Sequence, residues 1–235
     1  MKRIGIIGAM EQEVETLIGA LETPKTTTVG ALTFHSGVLR GQPAVIARCG
    51  IGKVCAAMCA QAMIDRFEVD CIINTGVAGG LHPDLQVGDL VLCTNAAQHD
   101  FNVTALGYVR GYLCTGEDGS KPTWFKADAH LREVFASAAK ALSLRVREGV
   151  VVSGDLFVSG AAVKETLRRE FEADAAEMEG AAIAQTAAAN GVPFLVVRAI
   201  SDLADGSAPV SYTTFETMAA ERCAALTLAA MESLA

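Results

Sequence analysis

Residues 44–74 read AVIARCGIGKVCAAMCAQAMIDRFEVDCIIN, and this run decides the fold class. Ala44–Arg48 is a short apolar run closed by a glycine turn, the pattern of a buried strand. Lys53–Phe67 carries a helical pattern, and Cys71–Asn74 is a second short buried strand. The same alternation extends outward. Upstream, Lys2–Gly8 predicts a strand and Glu11–Leu21 a helix. Downstream, Gly88–Thr94, Val146–Ser153 and Pro193–Ile200 predict strands, whereas Asp128–Leu142 (capped by Asp128), Ala161–Glu172 and Glu179–Asn190 predict helices. A final helix is expected from near Thr213, where Thr213-x-x-Glu216 has the form of a capping box. Thr26–Val29 and Leu32–Leu39, separated by a short glycine turn, predict antiparallel hairpins. Together these elements predict an α/β fold with a central mixed sheet covered on both faces. No proline-rich linker, repeat or low-complexity segment divides the 235 residues, so one domain is expected. The longest irregular stretch, Gly107–Thr123, has a length usually reserved for functional or mobile loops.

Composition narrows the function. The chain is 51% apolar, ample for a continuous core, and Lys+Arg 19 against Asp+Glu 27 leaves a net charge of −8. Without a basic run, a polyanion groove is not expected, because nucleic-acid affinity is built from clustered Lys and Arg. Mean hydropathy is +0.34. The longest uncharged stretch, Gly180–Val197, is nevertheless broken by Gln185, Asn190, Gly191 and Pro193, whereas a spanning helix needs about 20 predominantly apolar residues. At the N-terminus, Lys2 and Arg3 precede an apolar run that meets Glu11 at once, without a signal-peptide cleavage site. A cytoplasmic protein with no membrane partner is expected. Seven cysteines without a Cys-x-x-Cys fit that setting, and four scattered histidines offer no metal-ligand spacing, so neither metal nor cofactor is expected. His99-Asp100 reads as an ordinary loop or strand-end pair.

Several segments carry candidate chemistry. Gly50-Ile51-Gly52-Lys53 lies between strand and helix, where a phosphate cradle would sit, but Cys55 breaks the dinucleotide fingerprint, and Ala47 and Val54 break the P-loop. A tight turn is the simpler reading. Gly76-Val77-Ala78-Gly79-Gly80 follows a buried strand and is either a plain turn or a place where a ligand meets the backbone. Glu177-Met178-Glu179 opens an Ala-rich helix; complementing the helix dipole explains Glu179 adequately and Glu177 poorly. Arg198 sits inside an apolar strand, where an unpaired charge is costly, so a carboxylate partner is expected. Asp202 closes that strand at the end where α/β sheets bind ligands. Glu13, in the first turn of the first helix, reads in isolation as dipole complement.

Seven segments in order resemble bacterial 5′-methylthioadenosine/S-adenosylhomocysteine nucleosidases. They are Gly5-Ile6-Ile7-Gly8-Ala9-Met10-Glu11-Gln12-Glu13, Gly50-Ile51-Gly52-Lys53-Val54, Asn74-Thr75-Gly76-x-Ala78-Gly79-Gly80, His99-Asp100-x-x-Val103-Thr104, Val152-Ser153-Gly154-Asp155, Glu177-Met178-Glu179 and Arg198-Ala199-Ile200-Ser201-Asp202. The resemblance implies a nucleoside phosphorylase-like, single-domain three-layer α/β sandwich, homodimeric, that hydrolyses the N-glycosidic bond of adenine nucleosides. It implies that Glu13 activates the attacking water and Asp202 protonates adenine N7. Glu179 would hold the ribose hydroxyls with Met178 against the sugar, while Phe157 and Val158 would bind adenine. Gly79 would lie in the substrate-binding glycine turn, with Met10, Ile51 and Tyr212 near the 5′ substituent and Ser201 and Arg198 as further binding residues. One protonated and one ionised carboxyl suit such chemistry, because adenine leaves poorly as an anion and water adds poorly without a base. The sequence departs from the family at Gln12, at Val77, where many relatives carry Ser, and in the longer 107–123 loop. That loop, with Tyr108, Tyr112 and Leu113, is expected to leave apolar groups for a partner to cover. The rival functions are an aminodeoxyfutalosine nucleosidase, a phosphorylase that would need Arg198 and Lys53 on phosphate, a nucleoside sensor, and a nicotinamide oxidoreductase. The broken glycine fingerprint speaks against the last, and the presence of both Glu13 and Asp202 against the sensor.

Overall fold

The structure, a computed structural model, describes residues 3–116 and 118–234. Lys2, at the expected start of the first strand, and Glu117, in the 107–123 loop, lie outside the described residues. In chain order the elements are β1 (Ile4–Gly8), α1 (Glu11–Gly19), β2 (Glu22–Val29), β3 (Leu32–Leu39), β4 (Gln42–Arg48), α2 (Lys53–Phe67), β5 (Cys71–Gly80) and β6 (Leu90–Gln98). They continue with β7 (Phe125–Lys126), α3 (Ala129–Ala141), β8 (Val146–Ser153), α4 (Ala161–Phe171), β9 (Ala175–Glu177), α5 (Gly180–Ala189), β10 (Phe194–Asp202) and α6 (Ala208–Met231).

Strand β1 shows how both sheet faces are filled. Ile4 and Ile6 enter one apolar cluster with α1, α3 and α6, while Ile7 enters another with α2; α5 touches both. Successive strand side chains point to opposite faces, so a wholly apolar strand is one buried on both sides. Gly5 lets α2 come close, since a β-carbon there would fall on the Met63 side chain. The predicted helix–sheet–helix layering is thus present, and Asp128 caps α3 as expected, accepting from Leu131 N at 2.9 Å.

The sheet is mixed. β1 runs parallel to β4 and β5, and β5 runs parallel to β10. β2, β3 and β4 form the predicted antiparallel hairpins. Beyond β5 the strands β10, β6, β8 and β9 return to β5, closing a ring that the sequence did not predict. The parallel set β1, β5 and β10 points its carboxyl ends to one side, where α/β folds place ligands.

Three expectations are corrected. Gly76–Gly80 is not a turn but the second half of β5, because Gly76 and Gly79 pair with Arg198 and Asp202 of β10, and Gly80 with Ala175 of β9. The last helix starts at Ala208 rather than near Thr213, since Pro209 suits the first helical turn, where no N–H partner is missed. Thr213 lies inside the helix, its hydroxyl donating to Pro209 O at 2.9 Å. Tyr112 is buried at 5% exposure and packs against Tyr108 with the rings tilted, so the 107–123 loop covers part of its own apolar surface.

Candidate active site

The carboxyl ends of β1, β5, β9 and β10, with the segment after β8, surround a cavity of about 350 Å³. Glu13, Asp202, Gly79, Phe157, Val158, Met178, Glu179, Met10, Ile51, Ser201 and Tyr212 all line it. Eleven of the twelve residues singled out from the sequence therefore meet in one place. The twelfth, Arg198, does not line the cavity: it lies beneath it with no exposed surface, its charge taken up by protein carboxylates.

Arg198 is the hub of the site. It sits in the middle of β10, and its Nη2 donates to Glu177 Oε2 and Asn74 Oδ1. Glu179 Oε2 lies 3.7 Å from Nη2, and Glu13 Oε1 lies 4.0 Å from Nη1. The expected carboxylate partner thus turns out to be three. Glu177 also accepts from Ser153 Oγ and from the N–H groups of Glu179 and Gly180, the latter at 3.0 and 2.7 Å. Glu177, not Glu179, therefore receives the free N–H groups at the start of α5, reversing the assignment made from the sequence.

Glu13 is 2% exposed. It receives three backbone N–H groups: Ala9 N at 2.6 Å and Met10 N at 2.9 Å on one oxygen, Val77 N at 3.0 Å on the other. It complements the start of its own helix, as read in isolation, and also faces the cavity. Burial raises its pKa above the ordinary value, against the pull of Arg198 and these N–H groups. Glu179 Oε1 accepts from Gly52 N at 2.8 Å, which ties it to the start of α2. Burial and the neighbouring Glu177 charge push the Glu179 carboxyl up to about 7.

Asp202 stands at a bulge in β10, where the register to β5 shifts; bulges re-aim a side chain. Ala204 N donates to its Oδ1 at 2.8 Å, and Ser201 Oγ to its Oδ2 at 3.0 Å. Burial raises its pKa despite these bonds, helped by the charge of Asp205. Gly79 gives this acid room, since a β-carbon would sit 3.0 Å from Asp202 Oδ1. On the opposite wall Phe157 meets Tyr212 edge-on at 5.5 Å, and the Tyr212 hydroxyl donates to Met10 Sδ at 3.1 Å.

Residues 3–232 match the phosphorylase superfamily. A 5′-methylthioadenosine/S-adenosylhomocysteine nucleosidase of Actinobacillus succinogenes is 40% identical over 233 residues, 99% of each chain. The chain belongs to this nucleosidase family. The crystal structure of the Neisseria meningitidis nucleosidase in complex with methylthio-immucillin-A has a TM-score of 0.93 at 40% identity, covering 99% of this chain and 100% of that one. A futalosine hydrolase mutant of Helicobacter pylori also reaches 0.93, at 31% identity, with 99% and 100% covered.

Within this family fold, sequence reasoning missed part of the site. Val77 contributes through its N–H, which no side-chain pattern announces. Ala9, Ala78, Leu156 and Ala176 line the cavity with small or apolar surface indistinguishable from core. Glu177 had left a signal, a carboxylate flanked by apolar residues that the helix dipole explained poorly.

Gly76 is the tightest point. A β-carbon there would land on the Arg198 guanidinium and the Glu13 carboxylate together. Gly76→Ala is expected to lower kcat/KM about 100-fold or more, the scale of losing a positioned acid or base, while circular dichroism stays native. Unchanged activity would contradict this geometry.

Proposed function

We propose that the chain, acting as one nucleoside phosphorylase-like domain over residues 1–235, hydrolyses the N-glycosidic bond of 5′-methylthioadenosine and S-adenosylhomocysteine. The products are adenine and the 5′-thioribose, which fits methionine salvage and nucleoside catabolism. The observation that carries this proposal is the cavity wall: four carboxyls (Glu13, Glu177, Glu179 and Asp202) and no Lys, Arg or His line it among the described residues.

In the proposed mechanism Glu13 acts as the base. Water gives it a proton and bonds to C1′ as the C1′–N9 bond breaks, the bonding electrons leaving with adenine. Asp202 supplies the proton to adenine N7, so the base departs neutral. A pKa raised by burial suits an acid that must stay protonated, while at Glu13 Arg198 and three N–H groups favour the charged form a base needs, against burial. Glu179 accepts from the ribose hydroxyls, Met178 packs against the sugar, and Phe157 and Val158 hold adenine. Gly79 and Ser201 form the wall beside Asp202, while Met10, Ile51 and Tyr212 surround the 5′ substituent. Arg198 acts from below through the carboxylates rather than on the substrate.

The same wall argues against phosphorolysis. A phosphate dianion needs basic or donor groups, but Arg198 is committed to carboxylates and Lys53 to Asp100 and Gln98. No metal or cofactor is invoked. No helix among the described residues is long and apolar enough to cross a membrane. A cytoplasmic setting, without nucleic-acid or membrane partners, fits the lack of a disulfide among the described residues and the acidic charge. Aminodeoxyfutalosine is the second candidate substrate, favoured by the likeness to the futalosine hydrolase fold.

Adenine release from methylthioadenosine, adenosylhomocysteine and aminodeoxyfutalosine should be compared in phosphate-free ¹⁸O-water. Hydrolysis is expected to place ¹⁸O on the ribose, and Glu13→Gln and Asp202→Asn each to lose about 10²–10⁴-fold. An absolute phosphate requirement, with a ribose 1-phosphate product, would refute the proposal.

A homodimer is proposed on a different feature. Ile51, Val54 and Met58, at the start of α2, are 56%, 70% and 61% exposed, and Ile51 continues into the cavity beside exposed Leu156 and Phe157. Apolar surface of this kind marks an interface, and a second copy there would close the 5′ pocket, assisted by Tyr108 of the 107–123 loop. Met58→Glu is expected to halve the mass seen by light scattering. It should weaken adenosylhomocysteine about tenfold more than methylthioadenosine, on the scale of one buried interface anchor. A fully active wild-type monomer would contradict the shared pocket.

A further inference from the structure

Three residues remain without a role in the proposed chemistry: Lys53 at the start of α2, Asp100 after β6, and Asp155 after β8. The fold brings them together. Lys53 Nζ contacts Asp100 Oδ1 at 2.5 Å and Gln98 Oε1 at 3.0 Å. The other oxygen of Asp100 accepts from Asp155 N at 2.9 Å. Asp155 Oδ1 in turn accepts from Lys53 N at 2.8 Å. These contacts close a cycle of side chain and backbone through the start of α2 and two loops, and none of its members lines the cavity.

The loops in this cycle carry the site. Asp155 immediately precedes Leu156, Phe157 and Val158 on the cavity wall. Lys53 follows Gly52, whose N–H donates to Glu179. Two carboxylates from distant segments, Glu179 and Asp155, thus accept the adjacent free N–H groups of Gly52 and Lys53 where α2 begins. Gly52 is required for this approach: its φ is +99°, and a β-carbon would sit 3.0 Å from Asp155 Oδ1. Gly154 does the same on the other side, where a β-carbon would strike the His99 ring and lie 3.0 Å from the Asp100 carboxyl carbon. Burial works against the Asp100 charge, yet the Lys53 ammonium and Asp155 N–H hold its carboxyl below the usual range.

We propose that Lys53, Asp100 and Asp155 are positioning residues: a clasp that fixes the Phe157–Val158 wall and the Gly52 bond to Glu179. This role rests on the nucleosidase function above. It makes the clasp a determinant of how firmly adenine and ribose are held rather than of the proton transfers. Removing it loosens one wall while leaving Glu13, Asp202 and Arg198 in place.

The test uses the full chain carrying Lys53→Met, Asp100→Ala, Asp155→Ala or Asp155→Asn, the last keeping an oxygen for Lys53 N. The first three are expected to raise KM for methylthioadenosine and Kd for free adenine about tenfold, the scale of a charge-assisted hydrogen bond, with kcat within about threefold. Asp155→Asn should stay within about twofold of wild type on both. Hydrogen exchange over residues 155–158, which needs no substrate, should quicken about tenfold in Asp100→Ala. Unchanged exchange, unchanged KM, or Asp155→Asn failing together with Asp155→Ala overturns the clasp. A wild-type enzyme that releases no adenine overturns the function instead, and the exchange experiment still judges the clasp.

Discussion

A single guanidinium sealed from water organises this molecule. Arg198 has no exposed surface, so its charge must be balanced inside the protein. Glu177 balances it by direct contact, and Glu179 and Glu13 by proximity. One cation faces three carboxylates, and that mismatch is the chemical resource of the site. Glu177 takes the direct contact, while burial works on the other two and raises both pKa values, that of Glu179 to about 7. The buried cation thus does two things at once: it holds the carboxylates together and leaves them short of full neutralisation. Glu179 therefore stands within reach of neutral pH, where a group that exchanges a proton with substrate or water is useful, and Glu13 is shifted in the same direction.

The requirement propagates into the backbone. Arg198 and its carboxylates come from β10, the junction of β9 and α5, and the first turn of α1, so three separate chain segments must meet at one spot. Parallel pairing of β1, β5 and β10 brings their carboxyl ends together, and small residues clear the space between. Gly76 leaves room for the guanidinium and the Glu13 carboxylate, while Gly180, where a β-carbon would sit 2.9 Å from Val196 Cγ1, lets α5 start against β10. Asp202 is held apart from this cluster, its carboxyl raised by burial and bonded to Ser201 and Ala204 rather than to Arg198. Two carboxyl environments, one beside the cation and one away from it, are what an acid–base pair requires.

Much of this was legible in the sequence because the signals are local. Apolar runs punctuated by glycine marked most strands, and 146–153 and 53–67 match their elements end to end. Arg198 announced its own need, since a charge inside an apolar strand demands a partner. The partners' number was not legible, because it depends on which strand ends meet. β9 has three residues, too few for any periodicity to register, yet it carries Glu177 to the guanidinium. For the five residues from Gly76 a plain turn stood open beside a ligand-facing backbone because glycine weakens strand propensity; pairing with β10 and β9 excludes the turn, and Gly79 faces the cavity. At Thr213 a capping-box pattern was outweighed by a proline four residues earlier that starts the helix better. The clasp of Lys53, Asp100 and Asp155 was invisible for the same reason as β9: its parts are local and ordinary, and their meeting is tertiary.

The central claim, that burial holds the site carboxyls above their ordinary range while one shared cation pulls Glu13 and Glu179 the other way, is tested most directly by titrating them. ¹³C-detected NMR of the side-chain carboxyls of Glu13, Glu179 and Asp202 in the substrate-free protein follows each proton in turn. The expected result is a Glu179 midpoint near 7, as burial and the Glu177 charge dictate, with Glu13 and Asp202 above their ordinary values of 4.5 and 3.8. In Arg198→Met, Glu13 and Glu179 should move further up, because the cation that favours their charged forms is gone, whereas Asp202 should hold. Midpoints for all three at ordinary carboxyl values, or no response of Glu13 and Glu179 to the loss of Arg198, would contradict it.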